Sequence, residues 1–174
     1  VGKSVSDAVA MVGELKKSSR GGKVGVVGFC WGGAFVNSLA VAAGDELGAA
    51  VSYYGPAPDP SEAAKVQTPI MIHDAGLDDR VNATSFPWVT ALRQAGKPVK
   101  FYLYEGVNHA FNNDTSAERY DEALLYKQLA TLREELAAAG RAGPQARPRR
   151  RQLGPDVVGR ELGHVLQCAV RADV

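Results

Sequence analysis

The run Lys23 to Gly33 constrains the fold of this chain more than any other segment. After Lys23 it has no polar side chain through Phe29, only valine, glycine and a final aromatic, which reads as a strand covered on both faces in a parallel sheet. Gly32 to Ala43 reads as a buried helix. A strand that passes straight into a helix needs a sharp turn, and here the turn is Gly28-Phe29-Cys30-Trp31-Gly32-Gly33. Glycines on both sides of Cys30 let strand and helix approach without Cβ clashes, while the central residue is strained and its side chain is held out at the sheet edge. That is the geometry of a nucleophile elbow, with Cys in the place of Ser. A helix N-terminus favours the negative charge a thiolate carries. A dinucleotide-binding loop would need glycine where Cys30 stands. A buried structural cysteine is the competing reading, since free cysteines are often buried.

Elsewhere the pattern alternates helices with strands. Val5, Ala8, Val9, Val12 and Leu15 recur at helical spacing after a capping-box-like start at Ser4 and Asp7, until Arg20-Gly21-Gly22 ends the pattern. Further strands are expected at Ala49 to Tyr54, Pro69 to His73 and Val99 to Tyr104. A short helical stretch is expected near Ser61 to Lys65, with longer helices at Asn82 to Gln94 and Ala117 to Ala138. The last of these carries Leu125, Leu129, Leu132 and Leu136 on one stripe. Strands separated by helices predict an α/β fold with a parallel sheet and right-handed crossovers, whose chemistry gathers at the carboxyl ends of the strands.

Composition divides the chain. It has 174 residues, 45% hydrophobic and 22% charged, with a net charge of +1. Residues 1–140 carry 13 basic and 16 acidic side chains and residues 141–174 carry 7 and 3, so the two parts have net charges of −3 and +4. All eight lysines precede Gly140, and every basic residue after it is arginine. We therefore expect a body over 1–140 and an irregular, basic Arg/Pro-rich tail over 141–174. From Pro155, Val158, Leu162, Val165, Leu166 and Ala169 fit one face of a short docked helix. The tail lacks the interleaved aromatics of a nucleic-acid-binding arm, so no nucleic-acid partner is expected. The longest apolar stretch, Val24 to Val36, is interrupted by glycines and is shorter than the roughly 20 residues of a membrane span, so no membrane partner is expected either. Cys30 and Cys168 are too few for a disulfide framework, which makes a reducing, cytoplasmic compartment the expectation.

A cysteine nucleophile needs a base and a group that orients it. His109 follows the fourth strand in Glu105-Gly106-Val107-Asn108-His109-Ala110-Phe111. His73 lies inside a strand, where a core imidazole is the expected role, and His164 lies in the tail. Asp78 and Asp79 follow the third strand, and both could reach His109. Nucleophile, acid and base then appear in the chain order of α/β-hydrolases, each after a successive strand.

The segments Gly28 to Gly33, Gly76 to Val81 and Gly106 to Phe111 together resemble the dienelactone hydrolase family, as does the stretch Phe111 to Thr115 with Arg119 to Ala123. The resemblance implies Cys30 as nucleophile, Asp78 as acid and His109 as base, with Asp79 a solvent-facing neighbour. It implies cleavage of a small-molecule carboxylic ester or lactone through a thioester acyl-enzyme, with one oxyanion donor from the backbone N–H of Trp31. Neither metal nor organic cofactor is called for. Tyr53, Tyr54 and Phe111, with Trp31, are candidates to line an apolar substrate pocket.

The chain also departs from the family's pattern. Only one helix precedes the nucleophile strand, so the expectation is the C-terminal portion of an α/β-hydrolase fold, about four parallel strands with flanking helices, lacking N-terminal strands. In the family that missing segment supplies a second oxyanion N–H, a glutamate that controls the resting cysteine and an arginine that helps bind the substrate carboxylate. The nucleophile strand would then be a long apolar edge, prone to self-association. A catalytically silent fragment or interaction module with an incomplete oxyanion hole is the alternative function. Enzymes acting on dienelactone itself typically place Ser directly after the catalytic His and Arg four positions after it. Ala110 and Asn113 stand there, which weakens the case for an acidic lactone.

Overall fold

The computed structural model describes residues 2–18, 23–124, 126–128, 130–131 and 168–171. Helix α1 (Gly2–Ser18) leads into β1 (Val24–Phe29), α2 (Trp31–Ala42), β2 (Leu47–Tyr53), a 3-10 helix (Pro60–Lys65), β3 (Ile70–Ala75), α3 (Asp79–Gln94) and β4 (Val99–Tyr104), with β5 at Cys168–Arg171. The sheet order is β4-β3-β2-β1-β5, with β1 to β4 parallel. This is a four-stranded parallel α/β sheet with flanking helices. Chain contacts divide it into two units, one of Val1–Ala110 with Leu166–Ala172 and the other of Phe111–Val165 with Asp173–Val174.

Because β1 to β4 add in one direction, right-handed crossovers put their connections on one face of the sheet. The core lies there. Val24 and Val26 of β1, Ala50 of β2 and Ile70 and Ile72 of β3 pack with Phe35, Val36 and Leu39 of α2 and Trp88, Val89 and Leu92 of α3. Helix α1 contributes Ala8 and Val12, with Val5, Val9 and Leu15 packed beside them, the stripe its sequence spacing predicts.

On the opposite face, at the carboxyl ends of the strands, one row of rings crosses all four parallel strands. Phe29, Tyr53, His73 and Tyr102 are successive register partners. Their centroids lie 4.8, 4.4 and 5.1 Å apart with nearly parallel planes. Offset stacking of this kind adds to the burial of each ring and ties the strand ends to one another.

Four expectations from the sequence are corrected. Ser4, expected as a cap, lies inside α1, which is already helical at Gly2. In the second unit, residues 117–119 form a turn and helical residues begin at 122. Asp121 accepts a hydrogen bond from the Leu124 N–H at 2.9 Å, a side-chain cap that sets this later start. Leu125, Leu129, Leu132 and Leu136 lie outside the described residues. Finally, the outer edge of β1 is not bare, because Cys168–Arg171 pairs antiparallel to it at Val24↔Arg171 and Val26↔Cys168. Ala169, expected on a helix, is therefore in a strand, a short apolar run being ambiguous between the two periods. The other residues of that expected helix, from Pro155 to Leu166, lie outside the described residues. Among the described residues no helix is long and apolar enough to cross a membrane.

The β1–α2 turn is built on backbone contact. A Cβ at Gly28 would lie 2.2 Å from the Gly32 carbonyl oxygen, and one at Gly33 would lie 2.6 Å from that of Tyr53. A Cβ at Gly55 would lie 2.2 Å from the Ala34 nitrogen. None of these neighbours can move without shifting main chain. Gly28→Ala is therefore expected to destabilise the protein by about 3 kcal/mol, the upper range for overpacking, measured as a lowered urea midpoint at unchanged slope.

Candidate active site

Cys30 sits between β1 and α2 with φ of 55° and ψ of −118°, a conformation non-glycine residues rarely adopt. Its N–H donates to the Tyr53 carbonyl at 3.0 Å and its C=O accepts from the Ala34 N–H at 3.1 Å. The residue is thus held on both sides, at the end of β2 and in the first turn of α2. Its side chain makes no cap to the helix and is solvent-exposed. Trp31 follows as the first helical residue, whose N–H has no acceptor within the helix.

Asp78 lies in the turn after β3 and is buried. Its Oδ1 accepts from the Val81 N–H at 3.2 Å, which makes it the N-cap of α3 and explains why that helix starts at Asp79 instead of the expected Asn82. Its Oδ2 meets Nδ1 of His109. The His109 loop is tied to the Asp78 turn by main chain, with Gly76 N–H to Tyr104 O at 2.7 Å and Leu77 N–H to Val107 O at 3.1 Å. Gly106 turns the loop at φ of 75° and Ala110 leaves it at φ of 67°. His109 Nε2 is then 3.1 Å from Cys30 Sγ. Thiol, imidazole and carboxylate form one chain of contacts, assembled from the carboxyl ends of β1, β3 and β4. With Nδ1–H directed to the carboxylate, the Nε2 lone pair faces the thiol, an arrangement suited to removing its proton. Asp79 is exposed and outside this chain.

Tyr53 and Tyr54 are both buried, Tyr53 in the aromatic row and Tyr54 edge-on to His109 at 5.0 Å between centroids. Phe111 is fully buried and belongs to the second unit. Exposed apolar side chains next in sequence to the contact chain are instead Phe29, Leu77 and Trp31, the last 61% exposed and stacked on Phe35 at 5.5 Å. Phe35 was not singled out from the sequence, although its i,i+4 spacing from Trp31 on a helix would have shown it. Among the described residues, no three of His, Cys, Asp or Glu cluster so as to hold a metal ion.

The sequence profile of the dienelactone hydrolase family matches residues 1–137. The chain belongs to the dienelactone hydrolase family. It is 32% identical over 121 residues to a carboxymethylenebutenolidase of Pseudomonas putida, a stretch covering 64% of this chain and 50% of that protein. Among solved structures it resembles a dienelactone hydrolase-like promiscuous phosphotriesterase from metagenomic libraries, with a TM-score of 0.59 at 20% identity over 68% of this chain and 53% of the other. It also resembles esterase PE8, with a TM-score of 0.58 at 20% identity over 73% and 58%. At that identity the structural likeness establishes the fold alone. The chain spans about half the length of the curated relatives it matches.

Two buried titratable groups sit beside the candidate site. His73, stacked between Tyr53 and Tyr102 with Nδ1 2.8 Å from the Tyr104 hydroxyl, is pushed down to about 4 by burial. This is the core imidazole expected from the sequence. Asp74 is fully buried and neither carboxylate oxygen has a hydrogen-bond partner among the described residues. Burial raises its pKa to about 6; the nearby Ser85 hydroxyl, outside hydrogen-bond geometry, offsets this in part and the Asp78 charge adds to it. The two groups act in opposite directions. A histidine whose folded pKa lies below its unfolded value loses stability as pH falls from 6.5 to 4, whereas a carboxyl whose folded pKa is raised loses it as pH rises from 3.8 to 6. At 1.36 kcal/mol per pH unit each effect is about 3 kcal/mol, so in the native protein they nearly cancel between pH 4 and 6. Asp74→Asn is expected to be more stable than the native protein at pH 7, with an advantage that fades towards pH 4 as the His73 loss is uncovered. Thermal melts of both proteins across pH 4–8 measure this directly.

Proposed function

We propose that the chain carries the nucleophile, base and acid of a small-molecule carboxylic ester or lactone hydrolase that works through a thioester. The observation that carries the reading is the contact chain from Cys30 Sγ through His109 to Asp78, built on a turn that holds Cys30 in a conformation its own backbone disfavours. Family membership and the name of a matched relative, a carboxymethylenebutenolidase, support it.

In this reading His109 Nε2 takes the Cys30 proton and the thiolate attacks the ester carbonyl carbon. Negative charge gathers on the carbonyl oxygen and is met by the Trp31 N–H. Collapse breaks the bond to the leaving alcohol, which takes the proton from His109, and Cys30 is left acylated. Water then gives its proton to His109 and attacks the thioester. The acid departs and the proton returns to sulfur. Asp78 holds the imidazole in the tautomer that presents the Nε2 lone pair, and it stabilises the imidazolium that forms.

A silent module of the same fold is the second reading. An activated aryl ester separates the two. On the hydrolase reading, intact mass shows one acyl adduct that Cys30→Ala abolishes, and His109→Ala slows its formation about 10²- to 10⁴-fold, with Asp78→Asn acting in the same direction. Absence of any adduct on the folded protein supports the silent module.

A further inference from the structure

A groove of about 200 Å³ lies between α2 and the loop after β2, lined by Trp31, Ala34, Phe35 and Ser38 on one side and Pro56 to Pro58 on the other. We propose that this groove receives an uncharged, apolar arm of the substrate, with the exposed Trp31 indole as the surface it packs against. The proposal rests on the hydrolase reading above and names the substrate class of that same site.

Trp31 directly follows Cys30, and the opposite wall starts two residues after Tyr54, whose ring meets that of His109. Among the described residues, no ionisable side chain lines the groove. The hydroxyl of Ser38 in its lining already donates to the Ala34 carbonyl at 3.1 Å. A carboxylate arm would lose water there and gain no cationic partner, an unfavourable exchange. An apolar arm loses nothing by the same transfer.

The groove is formed in advance of any ligand. Trp31 stacks on the buried Phe35 at 22° between planes. The opposite wall is pinned from two helices, with Asn37 Nδ2 3.4 Å from the Pro56 carbonyl and the Ala57 N–H donating to Thr84 Oγ1 at 3.0 Å. The size suits one ring or a short alkyl chain, since an apolar cavity of about 150 Å³ is enough to hold benzene.

The test compares acylation of Cys30 by p-nitrophenyl hexanoate and p-nitrophenyl acetate, followed by intact mass. Each methylene moved from water to apolar surroundings is worth about fourfold. Losing contact with two of the four extra methylenes is therefore expected to lower the hexanoate-to-acetate rate ratio about 16-fold. Ser38→Phe, which fills the groove, and Trp31→Ala, which removes its exposed wall, should both produce this drop. An unchanged ratio in both variants overturns the groove and leaves the hydrolase reading standing. If neither ester acylates the native protein, the hydrolase reading fails and the groove is judged by binding alone. In Cys30→Ala protein, ethyl hexanoate is then expected to shift Trp31 fluorescence saturably, monoethyl succinate is not, and the response disappears with the added change Trp31→Phe. No saturable shift overturns the proposal.

Discussion

The approach of backbone to backbone at the β1–α2 turn is the condition on which the candidate site depends. Gly28 lies against Gly32, Gly33 against the end of β2, and Gly55 against Gly33 and Ala34, each too close to admit a methyl group. These contacts bring the ends of β1 and β2 and the start of α2 together, and the Cys30 N–H bond to Tyr53 closes the turn. The positive φ of Cys30 follows from that closure, and so does the exposure of its thiol. With the β1 end located in this way, the parallel register carries the other two residues into reach. β3 delivers Asp78 and β4 delivers His109 to the same edge, and the main-chain bonds from Gly76 and Leu77 join their loops.

Much of this was legible because it rests on residue types with few alternative uses. The Gly28 to Gly33 motif identified the turn, and valine-rich runs identified β1 and its neighbours. Helical spacing identified the buried stripe of α1, and the order of Cys30, Asp78 and His109 matched successive strands. Placing these three in contact required the loop conformations, which depend on Gly106 and on positive φ at Ala110, and nothing in the spacing of the residues encodes that. The start of α3 was misjudged because Asp78 was read only as a chemical group. Aspartate is also among the best N-cap residues, and this one serves as a cap.

Other features were hidden for a different reason. Asp74 reads as a polar residue at a strand end, yet the fold buries it without a hydrogen-bond partner among the described residues. Burial of that kind is a property of the assembled layers. The pairing of β5 with β1 joins residues far apart in sequence, and the apolar pattern near Ala169 fitted a helix equally well. The groove beside Trp31 also joins separate elements, so only one of its walls could have been read from helical spacing.

Asp78 performs two tasks, capping α3 through one oxygen and meeting His109 through the other. A relative of this chain without the proposed chemistry would still be selected to keep an aspartate at that position, because the helix would need it. Cys30 has no such second employment. At φ of 55° a glycine would relieve the strain at no cost to the turn. Across related chains, retention of the aspartate alone therefore says little about activity, while retention of a strained cysteine marks selection for reactivity.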